Sequence, residues 1–179
     1  MKKVSDIHAI KIIFFITACY VGLWAIRIPT IKDQLQTDYV GVGYIMLSFA
    51  IGSIVAMIFA NALILKTSTK SILTCTLIAE GCLWLPVPFI QELWLFMVFS
   101  FVFGMSYGAF EIACNVYASN LEVREKKSMM SGFHAFWSLG VLFGSLITSF
   151  LLEWNYSFIF NILLYVIILL PLSLYFVLC

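Results

Sequence analysis

Residues 93–115 read LWLFMVFSFVFGMSYGAFEIACN, a run of apolar, aromatic and small side chains in which Glu111 is the one charged residue. A helix of that length, rising ~1.5 Å per residue, crosses a hydrocarbon core of ~30 Å. An ionised carboxylate in that medium costs roughly 2–4 kcal/mol or more unless protein or water surrounds it. The stretch therefore predicts a membrane-crossing helix whose acid either has a partner or has a task.

The rest of the chain repeats the pattern. Of 179 residues 63% are apolar and 11% charged, against about 25% charged in soluble domains. Apolar blocks fall at 9–28, 40–65, 72–90, 93–118, 135–152 and 157–178, each long enough to span. The expected fold is all-α: six transmembrane helices in one membrane domain over residues 1–179. The first block lacks a small-residue cleavage site and is followed by five more spans, so it reads as a span and not a signal peptide.

A net charge of +1 provides no field for nucleic acid or an acidic partner. Its distribution says more. Six spans put both termini on one side, with Lys2, Lys3, Lys11, Lys66, Lys70, Arg124, Lys126 and Lys127; the other side has Arg27 and Lys32. The positive-inside rule then places both termini in the cytoplasm of a cell bounded by that membrane. Trp94, Trp154 and Tyr156 fall at the expected outer boundaries, where amphipathic rings settle.

Pro29 is expected to end the first helix, because proline disfavours helical geometry in the residue before it. Pro86, Pro88 and Pro171 lie near the ends of spans three and six. LSFAIGSI (47–54) and LGVLFGSL (139–146) share a leucine five residues before Gly-Ser, three spans apart. Such an echo is what an inverted repeat of three-helix units produces.

Ser100, Gly104, Tyr107, Glu111 and Asn115 recur at spacings of three and four, so they share one helix face. Glu92 and Glu122 flank the span and Tyr107 lies midway, which puts Glu111 roughly 6 Å from the centre. Gly104 and Gly108 form a GxxxG that lets a neighbouring backbone approach. Desolvation raises a carboxylate's pKa and contact with water lowers it again, so an acid at that depth can load and release a proton as its exposure alternates. The plainer alternative is a hydrogen bond from Glu111 to another helix. On span one, Thr17, Tyr20, Trp24 and Arg27 form a second face suited to stacking on and hydrogen-bonding a polar organic solute. An interfacial belt with a snorkelling arginine is the alternative there. Span five adds His134, Ser138, Ser145 and Ser149, with His134 open to a structural role near the helix start. Glu80 lies deep with no evident partner, and Lys11 is placed to snorkel.

Other chemistries lack support. Cys19, Cys75, Cys82, Cys114 and Cys179 make no CxxC pair and read as packing residues, so neither a metal nor a disulfide is expected. GMSYG has the letters of a GxSxG elbow, but that motif needs a strand-turn-helix setting. No Walker loop, zinc signature or dinucleotide motif appears, so no cofactor and no enzymatic activity are expected.

Three stretches together resemble the amino-terminal half of a major facilitator superfamily transporter, in its YbjJ-like, fucose-permease-like branch. They are Trp24, Arg27, Ile28, Pro29 and Ile31 with Gly41, Gly43 and Gly52; Gly104, Gly108, Glu111 and Asn115 with Glu122; and MSGFHAFWSLG (130–140) with Gly144. The resemblance implies two inverted three-helix repeats, secondary transport of a small polar, sugar-like solute with proton coupling, and residence in the inner membrane. It implies a substrate or proton path through Tyr20, Trp24, Arg27, Tyr107, Glu111, Asn115, His134 and Ser138, and helix packing at Gly104, Gly108, Gly140 and Gly144. In the loop after span two, Lys66 and Lys70 keep the family's positive charge, while Leu65 and Ser68 replace its aspartate and second glycine. Members usually have twelve spans, so a six-span half implies a second half, a homodimer, or a truncated fragment that associates with helices without transporting.

Overall fold

The computed structural model describes residues 6–178, apart from the side chains of residues 60–63 and 65. Lys2, Lys3 and Cys179, and the side chains of Asn61 and Leu65, lie outside the described residues. Six helices follow in order: α1 (Asp6–Gln34), α2 (Tyr39–Lys66), α3 (Thr69–Trp84), α4 (Leu93–Glu125), α5 (Met130–Glu153) and α6 (Phe158–Leu178). Among the described residues there is no strand, and six segments are long and apolar enough to cross a membrane, the third including a 3-10 turn at Val87–Phe89. Their outer faces are apolar. Ile54, Ile58 and Phe59 of α2, Leu142, Leu146 and Phe150 of α5, and Ile167 and Ile168 of α6 are exposed, an arrangement that suits hydrocarbon and not water.

The helix limits correct the sequence expectation in three places. Pro29 does not end α1, which continues to Gln34. Proline removes only its own N–H from the ladder, and membrane helices absorb that loss through local adjustment and neighbouring groups. Helix α3 stops at Trp84, before Pro86, and the chain turns through Val87–Phe89. There the Gln34 side-chain amide donates to the carbonyls of Val87 at 2.9 Å and Ile90 at 2.6 Å, satisfying backbone that the prolines leave out of a helix. Helix α4 runs to Glu125, beyond the expected 118, because nothing between those positions breaks it.

Helices α1, α4 and α5 stop in the same way. Gln36, Lys126 and Asn155 take positive φ just beyond each end. The following amides, of Thr37, Lys127 and Tyr156, donate back five residues to Lys32, Glu122 and Leu151. This is the Schellman closure, made here without glycine.

The described helices fall into two compact units. Of the described residues, the first comprises 6–27 and 114–178. Within it α5 lies against α1 at three glycines. A Cβ on Gly140 would strike the Phe15 carbonyl, one on Gly144 would strike Cys19 backbone, and one on Gly22 of α1 would strike Val141 and Ser145 backbone. The partners 15 and 140, then 19 and 144, advance together by four, so α1 and α5 run parallel. The second unit, residues 28–113, repeats the device between α2 and α4. A Cβ on Gly104 would strike Phe49 backbone, one on Gly108 would strike Ser53, and one on Gly52 would strike Phe101. Thus Gly52-Ser53 and Gly144-Ser145, the two halves of the sequence echo, each sit at a parallel helix–helix contact. Small residues let the backbones close in, which is how helices associate where no hydrophobic force separates protein from lipid.

Candidate functional site

In the second unit the polar face of α4 is graded from end to end. Ser100 is buried, Gly104 and Gly108 are sealed against α2, and Tyr107 is half-buried between the rings of Phe49 (5.5 Å) and Phe110 (6.4 Å). Glu111 follows Gly104 by two turns and is half-buried. Among the described residues no hydrogen bond or ion pair holds its carboxylate. Ser106 sits in the middle of the continuous helix, without the strand and turn of a nucleophile elbow. Glu80 of α3 is also in this unit and is buried.

The first unit holds the remaining sequence-derived candidates. Tyr20 is buried, its hydroxyl donating to the Tyr165 carbonyl at 3.4 Å and its ring set edge-on to Tyr165 at 6.0 Å. Trp24 and Asn115 are half-buried. Arg27 is buried: its Nε donates to Asn161 Oδ1 at 3.1 Å, its Nη2 to the Tyr156 carbonyl at 3.3 Å, and its guanidinium lies 5.3 Å from the centre of the Phe158 ring. His134 and Ser138 share an exposed stripe of α5. Ser138 donates to the His134 carbonyl at 3.1 Å, and the His134 ring meets Phe14 edge-on.

One polar cluster escaped the sequence reading. Tyr165 of α6 donates to the Gly144 carbonyl at 2.6 Å and lies 3.0 Å from the Thr148 hydroxyl, and Asn161 one turn earlier meets Arg27. The available signal was Asn161 itself, an amide inside FIFNILLYVIILL, since such a residue in a span needs a partner. Among the described residues no three His, Cys, Asp or Glu side chains gather as a metal would require.

The profile of the Major Facilitator Superfamily matches residues 12–178. The chain belongs to that superfamily. This superfamily member is a multi-pass membrane protein, and its six helices correspond to one half of the superfamily fold. It is similar to an uncharacterized MFS-type transporter of Yersinia pestis, 28% identical over 79% of this chain and 37% of the relative. It is also similar to an uncharacterized transporter of Sinorhizobium fredii, 25% identical over 74% of this chain and 35% of the relative. The chain thus spans little more than a third of either relative's length. No solved structure matches it significantly.

Proposed function

We propose that this chain is a six-helix half of a proton-coupled secondary transporter for a small polar, sugar-like solute. It would lie in the inner membrane with both termini in the cytoplasm. Membership of the superfamily and two relatives named as transporters support transport in general terms. The resemblance to the YbjJ-like, fucose-permease-like branch supports the solute class.

One observation carries the coupling role. Glu111 is a half-buried carboxylate on a membrane-crossing helix, and among the described residues no cation or donor is bound to it. A carboxylate at membrane depth without a fixed partner must face a cavity or a further protein surface, and such groups mark ion and proton routes. In this reading Glu111 loads and releases the proton, and half-buried Tyr107 one turn before it offers its ring to the solute. The resemblance also assigns the path Tyr20, Trp24, Arg27, Asn115, His134 and Ser138. A second six-helix half, or a second copy of this chain, supplies the opposite wall.

The test is uptake of a panel of labelled sugars into proteoliposomes under an imposed proton gradient. Glu111→Gln should abolish gradient-driven accumulation while leaving membrane insertion intact. Undiminished accumulation would remove Glu111 from the mechanism.

The alternative reading is a non-transporting partner that only associates with other helices. Crosslinking in native membranes separates the two. A defined complex with a further six-span protein or a second copy supports transport, and a dispersed, rapidly degraded monomer supports the alternative.

A further inference from the structure

Within the first unit, a cavity of about 360 Å³ opens between the start of α1, the α4–α5 connection and the first turn of α5. Its walls include Ile7 and Lys11 of α1, Glu125 at the end of α4, Lys127 and Met129 of the connection, and Ser131 of α5. The charges around it do not cancel. Arg124 takes both Asp6 (2.7 Å) and Glu125 (3.0 Å). Glu122 is taken by the backbone amides of Met129 and Met130. Every nearby carboxylate is therefore engaged elsewhere, and among the described residues none lies within 4 Å of the Lys11 or Lys127 ammonium.

Lys11 is the harder residue to explain by the fold alone. It is half-buried on a membrane-crossing helix, its ammonium 5.2 Å from the centre of the Phe136 ring, and the residue lines the cavity. A snorkelling lysine on a lipid-facing surface would simply reach for water. This one instead lines a concave space together with exposed Lys127 and Ser131, with apolar Ile7 and Met129 on the wall. Two like charges around a void repel each other unless an anion lies between them.

We propose that this cavity binds a phosphate group, with Lys11 and Lys127 as its cationic ligands and Ser131 as a hydroxyl donor. The group is either the headgroup phosphate of an anionic phospholipid or a soluble phosphate. Ile7 and Met129 offer an apolar surface on which the glycerol and upper acyl carbons of a lipid can rest. The site does not depend on the transport reading.

The purified chain is incubated in detergent with phosphatidylglycerol, phosphatidylcholine or inorganic phosphate, and bound ligand is counted by native mass spectrometry. Selective, saturable retention of phosphatidylglycerol identifies the lipid as source; saturable binding of inorganic phosphate with no preference between lipids identifies the soluble anion. In either case Lys11→Gln and Lys127→Gln should each weaken binding about five-fold, the effect of roughly 1 kcal/mol per lysine near an anionic headgroup. Lys11→Arg with Lys127→Arg should retain binding, and an unchanged helical circular dichroism signal guards against misfolding. Lys66→Gln with Lys70→Gln should leave binding unaltered. Equal binding by the wild type and the double glutamine variant overturns the proposal, and so does an equal loss in the Lys66 and Lys70 variant.

Discussion

The Glu122 carboxylate accepts the backbone amide of Met130 at 2.7 Å, so the end of α4 caps the start of α5. The same oxygen accepts the Met129 amide, and α5 has no side-chain cap of its own. Helix N-termini expose amides without intrahelical partners, and a negative charge there also meets the positive end of the helix dipole. At 33 residues α4 is ~50 Å long. That exceeds a ~30 Å hydrocarbon core, and Glu122 stands in the charged terminal turns beyond it.

Those amide bonds hold the Glu122 carboxyl below its ordinary value of 4.5. A folded value below the unfolded one means the cap stabilises fully above pH 4.5. That contribution disappears as pH falls through the depressed folded value. Thermal unfolding in detergent should thus give Glu122→Gln a lower Tm than the wild type at neutral pH. The gap should stay constant down to about pH 4.5 and close below it. A gap that ignores pH would mean the carboxylate's charge takes no part in the cap.

Gly144 and Gly43 should respond oppositely to the same methyl group. A Cβ at Gly144 would meet the Cys19 backbone, which cannot swing aside as a flexible side chain could, whereas one at Gly43 meets nothing within 4 Å. Overfilling such a contact costs typically about 1–3 kcal/mol, while alanine in an open helical position gains up to about 1 kcal/mol. Gly144→Ala should lower the unfolding midpoint, Gly52→Ala should do likewise through Phe101, and Gly43→Ala should leave it level or higher. Parallel denaturant titrations of the three variants decide the matter.

Tyr165 joins α6 to α5 through one hydroxyl, shared between the Gly144 carbonyl and Thr148. Tyr165→Phe keeps the ring and its edge contact with Tyr20 but removes that hydroxyl. A buried hydrogen bond of this kind contributes about 0.5–1.5 kcal/mol net. Thr148→Val should cost less, because Tyr165 would still donate to Gly144. If the threonine variant proves the more damaging, the carbonyl is not the main partner.

The architecture was legible because each apolar block is as long as a bilayer is thick, and six such blocks leave little freedom. Helix ends were less so. Pro29 breaks a helix in water more readily than in a span, and the reach of α4 to Glu125 depends on residues that pattern alone does not distinguish from loop. The Gly-Ser echo was visible as letters, but its meaning came only when Gly52 met Phe101 and Gly144 met Cys19. At the candidate site the depth of Glu111 could be counted from flanking charges. The engagement of Arg27 could not, since Asn161 is 134 positions away and only folding brings the pair together. Glu122 marked a boundary in the sequence, and its capping role appeared once the chain turned back at Lys126.

Arg27 and Asn161 supply the last prediction. Arg27 is a buried cation that, among the described residues, has no carboxylate within 4 Å; an amide oxygen, the Tyr156 carbonyl and the face of Phe158 surround it instead. The other end of the same amide, Asn161 Nδ2, is buried with no hydrogen-bond partner among the described residues. Asn161→Leu removes the acceptor and leaves Nε unbonded, which should cost about 1.5–3 kcal/mol, the usual range for hydrogen bonds to charged groups. Asn161→Asp has nearly the same shape but replaces the unpartnered donor with a second acceptor and a compensating charge. Its own desolvation opposes the gain, yet the arginine is already out of water, so the variant should be at least as stable as the wild type. Arg27→Met should then reverse the order, making Asn161→Asp the least stable background because its charge is left alone. A double-mutant cycle over Arg27 and position 161, read by denaturant unfolding, measures this directly. Additive effects would show that the two side chains do not interact in the folded protein.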